Sequence, residues 1–231
     1  MIHRKQPIQE ILNLKKPTGY LLECWVETEQ NQMVVSHVQE SLAGFSSELW
    51  LYGAPGVGKT HLGLLIADRF EFGYYDCGDI SAEISPELFD YLDVGCGIVL
   101  DRVDRWLRHS IAESALFSWW KRKQNGLVLI SETSPRAEGS ITLPDLASRA
   151  RASMILPLDG LDDEGLRSLF RCQLDHRGIE LPPDVIRFLS PRLPRNPAKL
   201  VDLMGAIDQE SLRDQRKITV PWLKQLLSRL S

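Results

Sequence analysis

Eight consecutive residues constrain this chain more than any others: Gly53-Ala54-Pro55-Gly56-Val57-Gly58-Lys59-Thr60. The spacing is G-x-x-x-x-G-K-[ST], and the chemistry that demands it is the cradling of a phosphate chain. Glycines let successive backbone N–H groups turn inward around phosphate oxygens. A helix that begins where the loop ends adds its partial positive charge. In such a loop the lysine reaches the β- and γ-phosphates and the hydroxyl ligates Mg²⁺. The loop must follow a strand and precede a helix, and the sequence supplies both: an apolar run at 49–52 and an amphipathic stretch at 61–70. The expected nucleotide site is therefore Gly53, Ala54, Pro55, Gly56, Val57, Gly58, Lys59, Thr60 and His61. It is expected to hold ADP, another nucleoside diphosphate or ATP.

Four more apolar runs of strand length follow, at 73–77, 97–100, 127–131 and 153–156, with amphipathic helical stretches between most of them. Strands alternating with helices predict a parallel sheet covered on both faces. A helix is expected at 31–43, ended by Gly44, and another at 111–124, whose Trp119 and Trp120 are read as core. The run Gly97-Ile98-Val99-Leu100 ends in Asp101, an acid placed at a strand's C-terminal end where it can share Mg²⁺ with Thr60. The next residue is Arg102, and the nearest downstream acid is Asp104. A second acid directly after the metal-binding one is what activates water in many ATPases of this kind. Its absence predicts a chain that holds nucleotide and hydrolyses ATP poorly by itself.

Beyond Leu158 the pattern becomes helical only. Asp162 caps a helix carrying Leu166, Leu169, Phe170 and Leu174, which Gly178 ends. Pro182 and Pro183 open a second, a third runs over 197–211, and Thr219 with Pro221 begins a fourth. The expected organisation is an N-terminal arm at 1–28, a nucleotide-binding α/β domain at 29–158 and a small all-α domain at 159–231. The formal net charge of −4 argues against tight DNA binding by this chain alone, because phosphate neutralisation supplies much of such affinity. No apolar run approaches the roughly 18–20 residues of a membrane span, and the N-terminus lacks the apolar core of a secretory signal, so the expected location is the cytoplasm. Cys24, Cys77, Cys96 and Cys172 have no zinc-site spacing and are read as separate reduced thiols.

Several segments resemble a known family. Leu143-Pro144-Asp145-Leu146-Ala147-Ser148-Arg149 resembles the arginine-finger segment of the initiator DnaA, and more closely that of the Hda family of DnaA-related regulators. The stretch from Arg177-Gly178-Ile179-Glu180-Leu181-Pro182-Pro183 through Phe188-Leu189 is similar to the Hda lid. So is Gln215-Arg216-Lys217-Ile218-Thr219-Val220-Pro221. The resemblance covers about residues 31–231. It implies an AAA+ P-loop domain with a five-stranded parallel sheet, followed by an all-α lid. It also implies a nucleotide-bound regulator that associates with the DNA-loaded sliding clamp and promotes hydrolysis of DnaA-bound ATP, so that initiation is not repeated. On that reading Arg149 is the catalytic residue, offered in trans to a neighbouring subunit's nucleotide, and association as a homodimer or nucleotide-dependent oligomer follows. Arg151 competes with it for that role.

The sequence departs from the family at three places. The usual glutamine-and-leucine clamp motif is represented only by Gln6 or Gln9 with Ile11, Leu12 and Leu14. The sensor position after the fourth strand falls on Glu132, and the lid's sensor arginine falls on Ala198, between Arg195 and Lys199. Two other classes share this architecture: an ATP-driven helicase loader or DNA-remodelling ATPase, and a pseudo-ATPase adaptor.

Overall fold

The apolar runs are the strands of one parallel sheet. They are β1 (Glu48–Tyr52), β2 (Gly73–Asp76), β3 (Gly97–Asp101), β4 (Gly126–Ser131) and β5 (Met154–Pro157), ordered β2-β3-β4-β1-β5. A computed structural model of the protein describes residues 21–42, 48–83, 88, 89, 92, 97–123, 125–214 and 217–230. The clamp-motif candidates among residues 6–14, Gly44 and Cys96 lie outside the described residues. β3 and β4 are buried at every position, which is why they read as unbroken apolar runs rather than alternating ones. Leu51 pairs with Ile130 and Leu100 with Leu129, so the C-terminal ends of β1 and β3 reach the same edge on either side of β4. That edge is where parallel α/β sheets carry their sites.

Among the described residues, the helices beside the sheet include α1 (Glu29–Leu42), α2 (Lys59–Arg69), α3 (Ser110–Trp120) and α4 (Pro144–Ala152). α2 lies close on the sheet because Gly63 has no side chain. A Cβ there would stand 2.6 Å from Ile130 Cδ1 and 3.3 Å from Val99 Cγ1. α3 stops at Trp120 rather than at residue 124, since the chain must turn before β4 starts at Gly126. Trp119 and Trp120 are core residues, as their apolar spacing suggested. Phe89 stacks on Trp119 at 5.1 Å and meets Trp106 edge-on at 5.7 Å. Glu113 of α3 is 1 % exposed.

The helical part comprises α5 (Asp163–Arg177), α6 (Pro183–Leu189), α7 (Pro197–Asp214) and α8 (Val220–Leu230). Asp162 caps α5 by accepting from Gly165 N at 2.7 Å. Gly178 ends it at φ 61°, with Ile179 N bonding back to Leu174 O at 2.9 Å. Leu166, Leu169, Phe170, Val185, Leu189, Leu200, Met204, Ile207, Leu223 and Leu226 make its core. By proximity the chain divides into two units: one holds Asn31–Pro55 and Lys59–Asp159, the other Glu23–Gln30, Gly56–Gly58 and Gly160–Ser231. Among the described residues no helix is long and apolar enough to cross a membrane.

The second unit corrects one expectation. Cys24 and Cys172 are joined as a disulfide with Cα atoms 5.6 Å apart, not separate thiols. They are 148 residues apart in sequence, a pairing that spacing cannot reveal. Cys77 remains a buried thiol, and burial, reinforced by the carboxylates of Asp101 and Asp76, pushes its pKa well up.

Candidate functional site

The phosphate loop leaves β1 at Tyr52, whose carbonyl accepts from Leu158 N at 2.7 Å. Gly56 and Gly58 adopt φ of 80° and 109°, conformations only glycine takes without strain, and these turn the backbone around the loop. Lys59 folds back over the loop, donating from Nζ to Gly53 O at 2.7 Å and Ala54 O at 2.9 Å. Burial lowers the Lys59 pKa, against the opposing pull of Glu132, Asp101 and Asp104. Ala54 and Pro55 are exposed, while Gly53, Val57, Thr60 and His61 are half-buried. Within the second unit, Gly56 O accepts from Ala198 N at 3.2 Å. The Asn196 amide fills the space a Gly56 side chain would need, and its Oδ1 caps α7 by accepting from Lys199 N at 3.2 Å. So Ala198, expected from the resemblance at the lid's sensor position, meets Gly56 through its backbone.

Asp101 is 1 % exposed and has donors on both oxygens. Thr60 Oγ1 and the Tyr74 hydroxyl each donate to Oδ2 at 2.6 Å, and Arg102 N donates to Oδ1 at 2.7 Å. A carboxylate and a hydroxyl in contact are the hard oxygen donors a Mg²⁺ ion prefers, so Thr60 and Asp101 fit that ion. Arg102 takes a left-handed conformation, φ 53°. Its side chain turns to Asp76 at the end of β2, with Nε to Oδ1 and Nη2 to Oδ2 both at 2.5 Å. The hydrogen bond that Arg102 donates to Asp76 raises the Arg102 pKa further. Gly78 makes this fit possible, because any side chain there would collide with the guanidinium. Asp104 is tied instead to the residue just after β4: its Oδ2 accepts from Glu132 N at 2.8 Å. The position after Asp101 thus carries a fixed cation.

α4 carries Arg149 in its last turn. The helix start is fixed by Glu113, which accepts from Arg108 N at 2.7 Å, Thr142 N at 3.0 Å, Thr142 Oγ1 at 2.6 Å and Leu143 N at 2.6 Å. Burial alone would raise the Glu113 pKa, but these bonds outweigh it and hold the carboxyl below its usual range. Arg149 Nη2 pairs with Glu48 Oε1 at 2.6 Å, and its guanidinium lies 5.4 Å from the Trp120 ring centre. Lys123 Nζ stands 3.5 Å from the same Glu48 oxygen. Burial would raise the Glu48 pKa, but the Arg149 hydrogen bond and the Lys123 charge bring it down. Arg151 is exposed. Sequence reasoning found Asp101, Arg102 and Arg149 but missed Tyr74, Asp76 and Glu48, which bond to them from 26 to 101 positions away, and Glu113, which fixes the start of the helix that carries Arg149. None has a local signature.

Residues 162–227 match the family model described as "Hda, lid domain". The solved domain III of the Thermotoga maritima replication initiation protein DnaA superposes with a TM-score of 0.76 at 20% identity, covering 94% of this chain and 98% of that one. Aquifex aeolicus DnaA bound to AMPPCP gives 0.65 at 19% identity, covering 85% and 67%. A Thermotoga maritima RuvB variant gives 0.69 at 17% identity, covering 91% and 73%.

Proposed function

We propose that this chain, an AAA+ protein related to DnaA and Hda, is a nucleotide-holding regulator that promotes hydrolysis of ATP bound to a DnaA partner. The observation that carries the reading is Arg102. The place of a water-activating acid is taken by a guanidinium bound to Asp76, while the phosphate loop, Thr60 and Asp101 are all present. Such a site favours retention of nucleotide over turnover. The resident molecule is ADP, another nucleoside diphosphate or ATP, held by Gly53 through His61. Mg²⁺, held by Thr60 and Asp101, would neutralise phosphate charge. Tyr74 and Arg102 N keep the Asp101 carboxylate oriented, and Lys59 is released from Gly53 and Ala54 to meet phosphate oxygens.

In trans, Arg149 stabilises the charge that develops on the partner's transferring phosphoryl group. The DNA-loaded sliding clamp is the second partner, direct DNA binding is weak, and the site of action is the cytoplasm. The Glu48 pairing of Arg149 favours one competing reading, a pseudo-ATPase adaptor in which this arginine is structural.

The test is single-turnover hydrolysis of ATP preloaded on the cognate DnaA, with DNA-loaded clamp, comparing wild type with Arg149→Ala. The expected result is stimulation by wild type and a loss of about 10³-fold or more in the variant, the scale of an arginine supplied in trans. Equal stimulation by both proteins keeps the regulator reading and makes Arg149 structural, whereas unchanged partner binding by both with no effect on DnaA-bound ATP assigns the adaptor role. No stimulation by wild type, with nucleotide binding intact, overturns the regulator reading.

A further inference from the structure

Three side chains of the second unit that the nucleotide reading does not use converge at one point. Cys24 and Cys172 are bonded to each other, and His176 stands one turn beyond Cys172 on α5. The two sulfurs and a His176 ring nitrogen all lie within 4.8 Å of one another. Access to the three is graded: Cys24 is buried, Cys172 half-buried and His176 exposed. A sulfur–sulfur bond with one end on a half-buried residue and an imidazole beside it has the parts that thiol–disulfide exchange requires. Attack needs an accessible sulfur, and the departing sulfur needs a proton.

We propose that Cys24, Cys172 and His176 form a thiol–disulfide exchange site for a low-molecular-weight thiol of the glutathione type. The incoming thiolate attacks Cys172 Sγ, on the less buried of the two cysteines. A new sulfur–sulfur bond to Cys172 forms as the Cys24–Cys172 bond breaks. The electron pair leaves on Cys24 Sγ, which takes a proton from the His176 imidazolium, and His176 regains one from solvent. A second thiol then attacks the mixed disulfide and departs as the oxidised dimer, leaving Cys172 a thiol. Two thiols are oxidised and one protein disulfide is reduced. The reverse sequence, with the oxidised dimer as oxidant, rebuilds the bond.

The bond has a structural reach beyond its own atoms. Cys24 is followed by Trp25, whose ring lies 3.5 Å from where a Gly58 side chain would begin. The disulfide therefore fastens to α5 the segment that packs against the glycine of the phosphate loop. Reduction frees that segment, and nucleotide release should quicken several-fold. This consequence rests on the nucleotide reading above; the exchange chemistry does not. Metal ligation by the same three side chains is the less favoured use, because the sulfurs are spent on each other.

The experiment uses the full-length protein oxidised with glutathione disulfide and mapped by peptide mass spectrometry, with buried Cys77 as an internal control. A Cys24–Cys172 peptide pair is expected. Brief exposure to reduced glutathione should place the mixed disulfide on the Cys172 peptide. His176→Gln, an exposed and benign substitution, should slow that step by about tenfold, less than a buried general acid because water also supplies protons. Release of a fluorescent ADP analogue is followed in both redox states. Free alkylation of Cys24 and Cys172 after oxidation, a mixed disulfide found first on Cys24, or an unchanged rate in His176→Gln would each overturn the proposal. So would stoichiometric zinc retained by the reduced chain and shielding both cysteines from alkylation, which would make the cluster a metal site. If exchange behaves as expected and the chain binds no nucleotide, only the functional reading of the loop fails.

Discussion

Glu113→Gln removes a charge and almost no volume, so its effect isolates what the carboxylate does for α4. Two oxygens serve four donors: Oε1 takes Arg108 N and Thr142 N, and Oε2 takes Thr142 Oγ1 and Leu143 N. An amide keeps one oxygen. The better of its two orientations keeps that oxygen on Arg108 N and Thr142 N, and turns the NH₂ toward Thr142 Oγ1 and Leu143 N. The hydroxyl can rotate and accept, but the Leu143 N–H is left without an acceptor, at a cost of about 1–3 kcal/mol. The surviving bonds also lose charge assistance, worth roughly 1 kcal/mol in all. A total near 3 kcal/mol corresponds to a fall in melting temperature of about 6–12 °C for a chain of this size. Near-ultraviolet circular dichroism is the natural assay, because Trp119 and Trp120 are buried on the same helix. The pH dependence follows from sign. A carboxyl held below its usual range contributes stability that is fully present above its unfolded pKa, about 4.3, and is lost as pH falls through the lower folded value. The gap between wild type and variant should stay level from pH 7 to about 5 and close only below about 4. A shift under about 2 °C at pH 7, or a gap that closes near neutrality, would refute the reasoning.

Two further outcomes follow from the sheet. Ser131→Ala should cost about 1–3 kcal/mol in urea unfolding, because Ser131 Oγ is the acceptor for the buried Trp50 Nε1 at 2.7 Å. Ser131→Thr, which keeps the hydroxyl, should recover most of that loss. Gly97→Ala should cost at least about 2 kcal/mol, since φ there is 145° and the new methyl would stand 2.7 Å from Gly126 O, a backbone atom that cannot step aside. A wild-type unfolding midpoint in Gly97→Ala would contradict the close approach of β3 and β4 at that end.

The sequence announced those features whose chemistry is written in adjacent residues. The phosphate loop is one, because backbone N–H groups must be consecutive to surround an anion. The buried strands and the Asp162 and Gly178 helix ends are others, since periodicity and capping are local. The family resemblance added the lid segments that the match over 162–227 bears out. Illegible were the pairs that only the tertiary fold creates. Tyr74 reaches Asp101 because β2 and β3 are neighbours in the sheet, and Glu48 meets Arg149 across 101 positions. Arg102 was legible as a departure, but its partner Asp76 was not. The cysteine reading failed for the same reason: local spacing carries no information about a bond that spans 148 residues.

Arg149, Glu48 and Lys123 form a trio whose charges sum to +1, with one carboxylate shared between two cations. If an outside phosphate draws Arg149 away, Glu48 is not stranded, because Lys123 is already 3.5 Å from the same oxygen and only 4 % exposed. The transfer is then a swap of one anion for another at the guanidinium, and what remains behind is a neutral pair. A lone buried salt bridge would resist such a transfer, since it leaves an uncompensated charge. On the proposed role in trans, the trio would keep the arginine parked yet transferable, and its reach toward another molecule would depend on the lysine beside it as much as on its own flexibility.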